Sequence, residues 1–320
     1  MTRIDLHRHL DGSIRLQTIL ELADKNGIVL PAEDPDSLRP HVTITSPQPG
    51  LTHFLEKFRW PIAVLATPDD CRRVARENVE DAFRERLDHV ELRFSPVFMA
   101  SANGLDPAAV VEAVVDGAEA GSREFGVPVT MIGVLSRTFG TETCFLELEA
   151  LLGSRDRIAA LDLAGDEAGF PARLFEPHFR KARNTGWRIT IHAGEAAGPE
   201  SIREAIDLLG AERIGHGTRA VEDPALMDEL ADKGIGIESC LTSNVQTSAV
   251  PSYAAHPLRR FLECGILATI NTDDPAISGI TFDHEIDFAA PEAGLTPELV
   301  ALAMKNAERI SWRDGCLKVG

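Results

Sequence analysis

Trp187-Arg188-Ile189-Thr190-Ile191-His192-Ala193-Gly194-Glu195 runs from an apolar segment into a histidine and a glutamate separated by two small residues. Its first five residues mix aromatic and β-branched side chains, and Arg188–His192 reads as a strand. Small residues at the strand's end let a ligand or a metal approach the backbone. His192 offers a metal ligand there, and Glu195 offers an acid or base beside it. What the pair means depends on what the other strand ends carry.

Similar β-prone runs lie on both sides: Ile4–His7, Val90–Phe94, Val127–Val134 and Ala159–Leu163 before it, Arg213–Gly215, Gly236–Glu238 and Ile266–Asn271 after it. Helical periodicity fills the gaps, with clear punctuation. Asp106-Pro107 is an N-cap followed by proline at the first helical position, and Gly126 ends that helix. Asp223-Pro224 with Gly234, Thr67-Pro68-Asp69-Asp70 and Thr296-Pro297-Glu298 read the same way. Strands alternating with helices imply a parallel sheet, and this number of strands over this length implies a (β/α)₈ TIM barrel. No Gly-rich dinucleotide fingerprint or phosphate loop supports an open sheet instead. The segment from about His9 to Asp88 is too long for one crossover helix. It carries helical patterns near Gln17–Lys25, Leu51–Phe58 and Cys71–Arg86, a long helical insertion after the first strand. With no repeat or linker, residues 1–320 read as a single barrel domain.

Composition narrows the partners. The chain of 320 residues has a formal net charge of −18, which repels phosphate backbones and anionic membranes. We therefore expect no nucleic acid and no membrane among its partners, and a small molecule as its substrate. The five cysteines are scattered without a C-x-x-C pair, and no leader-like or membrane-spanning run occurs. A cytoplasmic location is expected. Nothing in the sequence specifies an oligomeric state.

The remaining strand ends supply chemistry. Strand 1 ends in His7-Arg8-His9-Leu10-Asp11-Gly12, and residues two apart on a strand face the same way, so His7 and His9 can converge. Strand 6 ends in Gly215-His216-Gly217 and strand 8 in Asn271-Thr272-Asp273-Asp274-Pro275. All of these lie at the C-terminal ends of strands, the barrel face on which active sites are built. Imidazoles from His7, His9 and His192 with a carboxylate from Asp273, the first aspartate off its strand, form a set that suits zinc. Such a zinc can bring bound water to a pKa of about 7. His216 could take that water's proton or hold the hydroxide. Glu195, three residues past a ligand, can protonate a substrate without binding the metal. Asp274 is left as a specificity contact, and Gly165, after strand 4, would expose backbone N–H to the substrate.

At this point the chain resembles a known family. His-x-His-Leu-Asp-Gly at 7–12, Leu-Asp-Leu-Ala-Gly-Asp-Glu at 161–167, His-Ala-Gly-Glu at 192–195, Gly-His-Gly at 215–217 and Asn-Thr-Asp-Asp-Pro at 271–275 are similar, in order and spacing, to adenosine deaminases of the amidohydrolase superfamily, bacterial ones especially. Glu91–Pro96, Ser136–Gly140 and Ile237–Asn244 belong to the same likeness, which spans about residues 4–308. The resemblance implies one zinc ion per chain on His7, His9, His192 and Asp273. It implies Glu195 as proton donor to purine N1, with His216 orienting or deprotonating the attacking water. It further implies Asp274 at N7, the Gly165 N–H at N3, and Asp11 with His9 at the ribose hydroxyls. The activity implied is hydrolytic deamination of adenosine and 2′-deoxyadenosine to the inosines and ammonia, a step of purine salvage. The alternative is the same chemistry on another 6-aminopurine, such as adenine or a modified adenosine. Relatives that act on the free base tend to have glutamate where Asp11 stands. Relatives with two metals usually carry a lysine at the end of strand 4, which is absent from Leu161–Gly165.

Phe54, Leu55 and Phe58 at helical spacing could gate a purine or simply pack. Arg59 stands where many relatives have aspartate, and is expected to be a surface charge. Arg93 is expected to pair with a barrel carboxylate, and His89 to be structural. His41, His53, His178, His256 and His284 are expected at the surface or as caps. Relatives usually carry further helical sequence after Met304-Lys305-Asn306-Ala307. The short segment Ser311–Gly320 is therefore expected to lower stability and leave the chemistry unaltered.

Overall fold

All eight β-prone runs form strands in the computed structural model, which describes residues 2–317. They are β1 (Ile4–His9), β2 (His89–Phe94), β3 (Val129–Ser136), β4 (Ala160–Ala164), β5 (Arg188–Ala193), β6 (Arg213–His216), β7 (Gly236–Ser239) and β8 (Leu267–Ile270). Most ends differ from the sequence reading by one or two residues. The ladder continues into polar positions such as His9 and His216, where the apolar pattern had already stopped. Each strand pairs in parallel with the next. A parallel bridge between Arg8 and Asp273 joins the last strand's exit to the first, with Asp273 N–H donating to His7 O and His9 N–H to Asp273 O, both at 2.8 Å. The result is a (β/α)₈ barrel.

Strand periodicity sorts the side chains. On β5, Ile189 and Ile191 pack into the apolar core, while Thr190 and His192 bond to acceptors of the lumen. That lumen holds a lattice of buried charge. Arg93 bridges Asp162 and Glu238 at 2.7 Å each, and Arg213 reaches Glu238 at 2.7 Å and Glu91 at 2.5 Å. Each cation meets more than one carboxylate, the arrangement needed to offset desolvation.

Two long helices cover β2 and β3. Pro68–Arg84 starts in a complete Thr67/Asp70 capping box, and Pro107–Phe125 starts at Asp106 and ends at Gly126, as the sequence indicated. The insertion after β1 also contains a helix over Pro35–Val42 that the sequence reading missed. Pro40 inside it masked a start signal, the Asp34 side chain accepting from the N–H groups of Asp36 and Ser37. Leu51–Phe58, read as one pattern, is an α-turn over Leu51–Leu55 followed by a 3₁₀ turn over Glu56–Phe58.

After the helix Pro297–Ile310, the chain turns under the barrel. Trp312 is buried there. Its backbone N–H donates to Glu91 Oε1 at 2.6 Å, and the Arg213 guanidinium lies 3.4 Å from the centre of its ring. Leu317 N–H donates to Val129 O at 2.8 Å. The described part of the tail thus closes the barrel floor, whereas Lys318–Gly320 lie outside the described residues. Among the described residues no helix is long and apolar enough to cross a membrane. All five cysteines are free.

Candidate active site

The barrel's C-terminal mouth opens into a cavity of about 380 Å³. Its polar floor contains His9, Asp11, His192, Glu195, His216, Asp273 and Asp274, and Gly165 is in its wall. All the residues singled out as catalytic or substrate-binding therefore line one space, and His7 lies directly beneath it. The roof comes from the β1 insertion, with Phe54 packed against Phe58 and Phe58 against Phe98 on the far side. Those phenylalanines both face the cavity and pack.

Four ligand atoms converge. His7 Nε2 and His9 Nε2 each lie 3.1 Å from His192 Nε2, and Asp273 Oδ1 lies 3.2 Å from His7 Nε2 and 3.4 Å from His9 Nε2. A tetrahedral zinc with arms of about 2.1 Å separates its ligands by about 3.4 Å. The outer nitrogens are also committed. His7 Nδ1 is 2.7 Å from Glu238 Oε2, and His192 Nδ1 is 3.0 Å from Asp162 Oδ2. Carboxylates on the outer nitrogens turn the inner lone pairs toward the centre, the arrangement that orients metal-binding histidines. Burial lowers His9 well below the usual histidine range and His192 to about 4, which favours their neutral, ligating forms. At His7, burial and Arg93 push downward, but Asp273 and Glu238 outweigh them and raise it, marking a corner that favours a cation. Burial would raise Asp273, yet the imidazoles of His216 and His7 hold it well below the carboxylate range. The donor set fits a zinc ion.

Around this centre stand groups that can hold protons. Burial raises Glu195, and Thr247 Oγ1 donates to its Oε1 at 3.1 Å. Asp274 is raised well above the usual range by burial and by Asp273, and Asp11 to about 7, mainly by burial. His216 Nε2 points to Glu195 Oε2 at 3.7 Å and Asp273 Oδ2 at 3.9 Å. His216 and Asp273 have φ of 62° and 64°, a left-handed backbone that non-glycine residues seldom adopt and that marks functional turns. Gly165 has φ of 106°, open in practice only to glycine. Gly12 is required by space, since a Cβ there would lie 1.7 Å from Asp274 Oδ1.

Sequence reasoning passed over the supports. Asp162 and Glu238 orient two imidazoles, and Arg93, expected to pair with one barrel carboxylate, holds both of these. Their signal was a carboxylate within an otherwise apolar strand. Glu167 accepts from the backbone N–H groups of Gly194, Glu195, Ala196 and Ala197, which fixes the loop that carries Glu195. One histidine departs from expectation, and a second is buried while its Nδ1 caps the first N–H of the helix Leu258–Glu263. His178 is buried, bonded to Thr141 O and stacked on Phe145, and His256 is buried against Asn244. His41 and His53 are exposed, as is Arg59, whose guanidinium stacks on Trp60. His89 is buried in a structural bond to Thr130.

Comparison with known proteins agrees with this geometry. The family model described as adenosine deaminase matches residues 2–318. An adenosine deaminase of Edwardsiella ictaluri is 60% identical over 303 residues, 95% of this chain and 91% of that one. In structure, an adenine deaminase from Arthrobacter aurescens superimposes with a TM-score of 0.89 at 30% identity, covering 97% of this chain and 93% of the other. An amidohydrolase from Burkholderia ambifaria, solved with bound zinc, gives 0.87 at 26% identity, covering 98% and 86%. The barrel, the motifs at its mouth and these likenesses lead to one assignment: the chain belongs to the adenosine deaminase family, hydrolases of the amidohydrolase superfamily.

Proposed function

We propose that the protein deaminates adenosine and 2′-deoxyadenosine hydrolytically, with one zinc ion per chain held by His7, His9, His192 and Asp273. The observation that carries this reading is the convergence of those four ligand atoms beside Glu195, on the floor of a cavity large enough for a nucleoside. Zinc in such a site supplies hydroxide at neutral pH. The other steps belong to side chains. Glu195, whose protonated form burial favours, gives its proton to purine N1 and so makes C6 electrophilic. Burial and Asp273 favour the protonated form of Asp274, which can donate to N7, while the Gly165 N–H serves N3. Asp11 and His9 hold the ribose hydroxyls. Water adds to C6, the C6–N bond breaks, and ammonia leaves with inosine as the product.

The distal cavity supports a nucleoside over a nucleotide. Its lining contains Glu56 and Asp11 and neither lysine nor arginine, so a phosphate would find no counter-charge. The 60% likeness to an adenosine deaminase, against 30% to an adenine deaminase, points the same way, as does aspartate at position 11. The test is ammonia release from adenosine, 2′-deoxyadenosine, adenine and AMP, with the zinc content measured. Turnover of both nucleosides well above adenine and AMP is expected. Equal rates on adenine and adenosine would contradict the ribose assignment, and preference for AMP would contradict the charge argument.

A further inference from the structure

A buried chain of hydrogen bonds runs from the back of His216 to a backbone amide that cannot reverse its direction. Leu258 N–H donates to His256 Nδ1 at 3.1 Å. His256 Nδ1 is therefore an acceptor, and the neutral ring carries its proton on Nε2. That Nε2–H faces Asn244 at 3.0 Å and requires the amide oxygen there. The amide nitrogen is then left to donate to His216 Nδ1, also at 3.0 Å. Both His256 and Asn244 are buried, and burial lowers His256 to about 3, so it stays neutral across the working pH range. On the cavity side, His216 Nε2 lies 3.9 Å from Asp273 Oδ2, a hydrogen-bond acceptor, and 3.7 Å from Glu195 Oε2.

We infer that Asn244 and His256 are positioning residues that lock His216 with its proton on Nε2, so that His216 presents a hydrogen-bond donor to the attacking water. The inference rests on the reading of His216 as the group facing that water, and it separates two roles the sequence leaves open. With Nδ1 occupied by an amide donor, a neutral His216 has no lone pair toward the cavity. It orients the nucleophile and stabilises negative charge on its oxygen, rather than taking its proton.

Asn244→Asp tests this directly. A carboxylate of the same shape accepts from both neighbours, which draws the His216 proton to Nδ1. Nitrogen NMR of the zinc-loaded protein labelled at histidine nitrogen, with His216 assigned by difference against His216→Gln, reads which ring nitrogen bears hydrogen. The wild type is expected to show Nε2–H and Asn244→Asp to show Nδ1–H. The same variant should lose about 10–100-fold in kcat, with KM changed no more than a few-fold. His256→Gln, which offers both an acceptor to Leu258 and a donor to Asn244, should keep the wild-type signal and most of kcat. His256→Phe should not. A wild-type His216 protonated on Nδ1, or an unchanged pattern in Asn244→Asp, overturns the inference. The NMR signature does not depend on turnover, so failure of the deaminase reading remains distinguishable.

Discussion

Gly12→Ala is a small perturbation with a large expected effect. The added Cβ would lie 1.7 Å from Asp274 Oδ1, 2.5 Å from its Cγ and 2.7 Å from its Cβ. Ordinary contact between such atoms needs about 3.5 Å or more. Rotating the carboxyl cannot relieve a clash with Cβ, so the whole residue must move by roughly 1 Å. The backbone resists this motion, because Gly12 O accepts from Ala276 N–H at 3.1 Å and Ile277 N–H at 3.3 Å, which pins the two loops together. A misplacement of about 1 Å in a positioning group costs about 100-fold, or roughly 2.7 kcal/mol of transition-state stabilisation. The assay is ammonia release from adenosine, with zinc content and melting temperature measured alongside. We expect kcat/KM to fall about 100-fold while zinc is retained. A variant that folds, binds zinc and keeps wild-type kcat/KM would falsify the role given to Asp274.

Further outcomes follow from the same geometry. Glu238→Gln removes the carboxylate behind His7 and should weaken zinc retention about 10–100-fold in competition with a chelator; unchanged affinity would remove Glu238 from the metal's support. Glu285 is buried with one oxygen lacking a hydrogen-bond partner, and burial raises it to about 8. Its folded value exceeds its unfolded one, so its contribution is fully present below about pH 4.5 and is lost as pH rises through about 8, at about 1.4 kcal/mol per unit. Melting temperatures between pH 5 and 8.5 should therefore fall more in the wild type than in Glu285→Gln, and parallel curves would refute the assignment. Trp312→Ala should cost about 3–5 kcal/mol of stability in denaturant titrations, with kcat unchanged because the ring sits at the floor of the barrel, opposite the cavity. A loss under about 1 kcal/mol would show that the tail does not seal that floor.

The barrel and the residues at its mouth were legible because each strand is a short β-prone run and four of them, β1, β5, β6 and β8, lead into histidine or aspartate. Ile189 and Ile191 mark the strand, and His192 marks its end. What escaped were interactions between strands. Asp162 and Glu238 look like isolated charges in apolar runs, and their purpose exists only once β4, β5, β7 and β1 are brought together around Arg93. His256 lies far from any strand end, and only the packing of its loop against Asn244 gives it a partner. The helix over Pro35–Val42 escaped for a local reason, its internal proline.

Glu195→Gln is the most direct test of the proposed chemistry. The glutamine keeps the shape and the Thr247 contact but has no proton to give to N1. With zinc shown to be present and adenosine binding shown by a competitive ligand, ammonia release is expected to fall by about 10²–10⁴-fold. A zinc-loaded Glu195→Gln protein that deaminates adenosine near the wild-type rate would contradict the assignment of Glu195 as the proton donor.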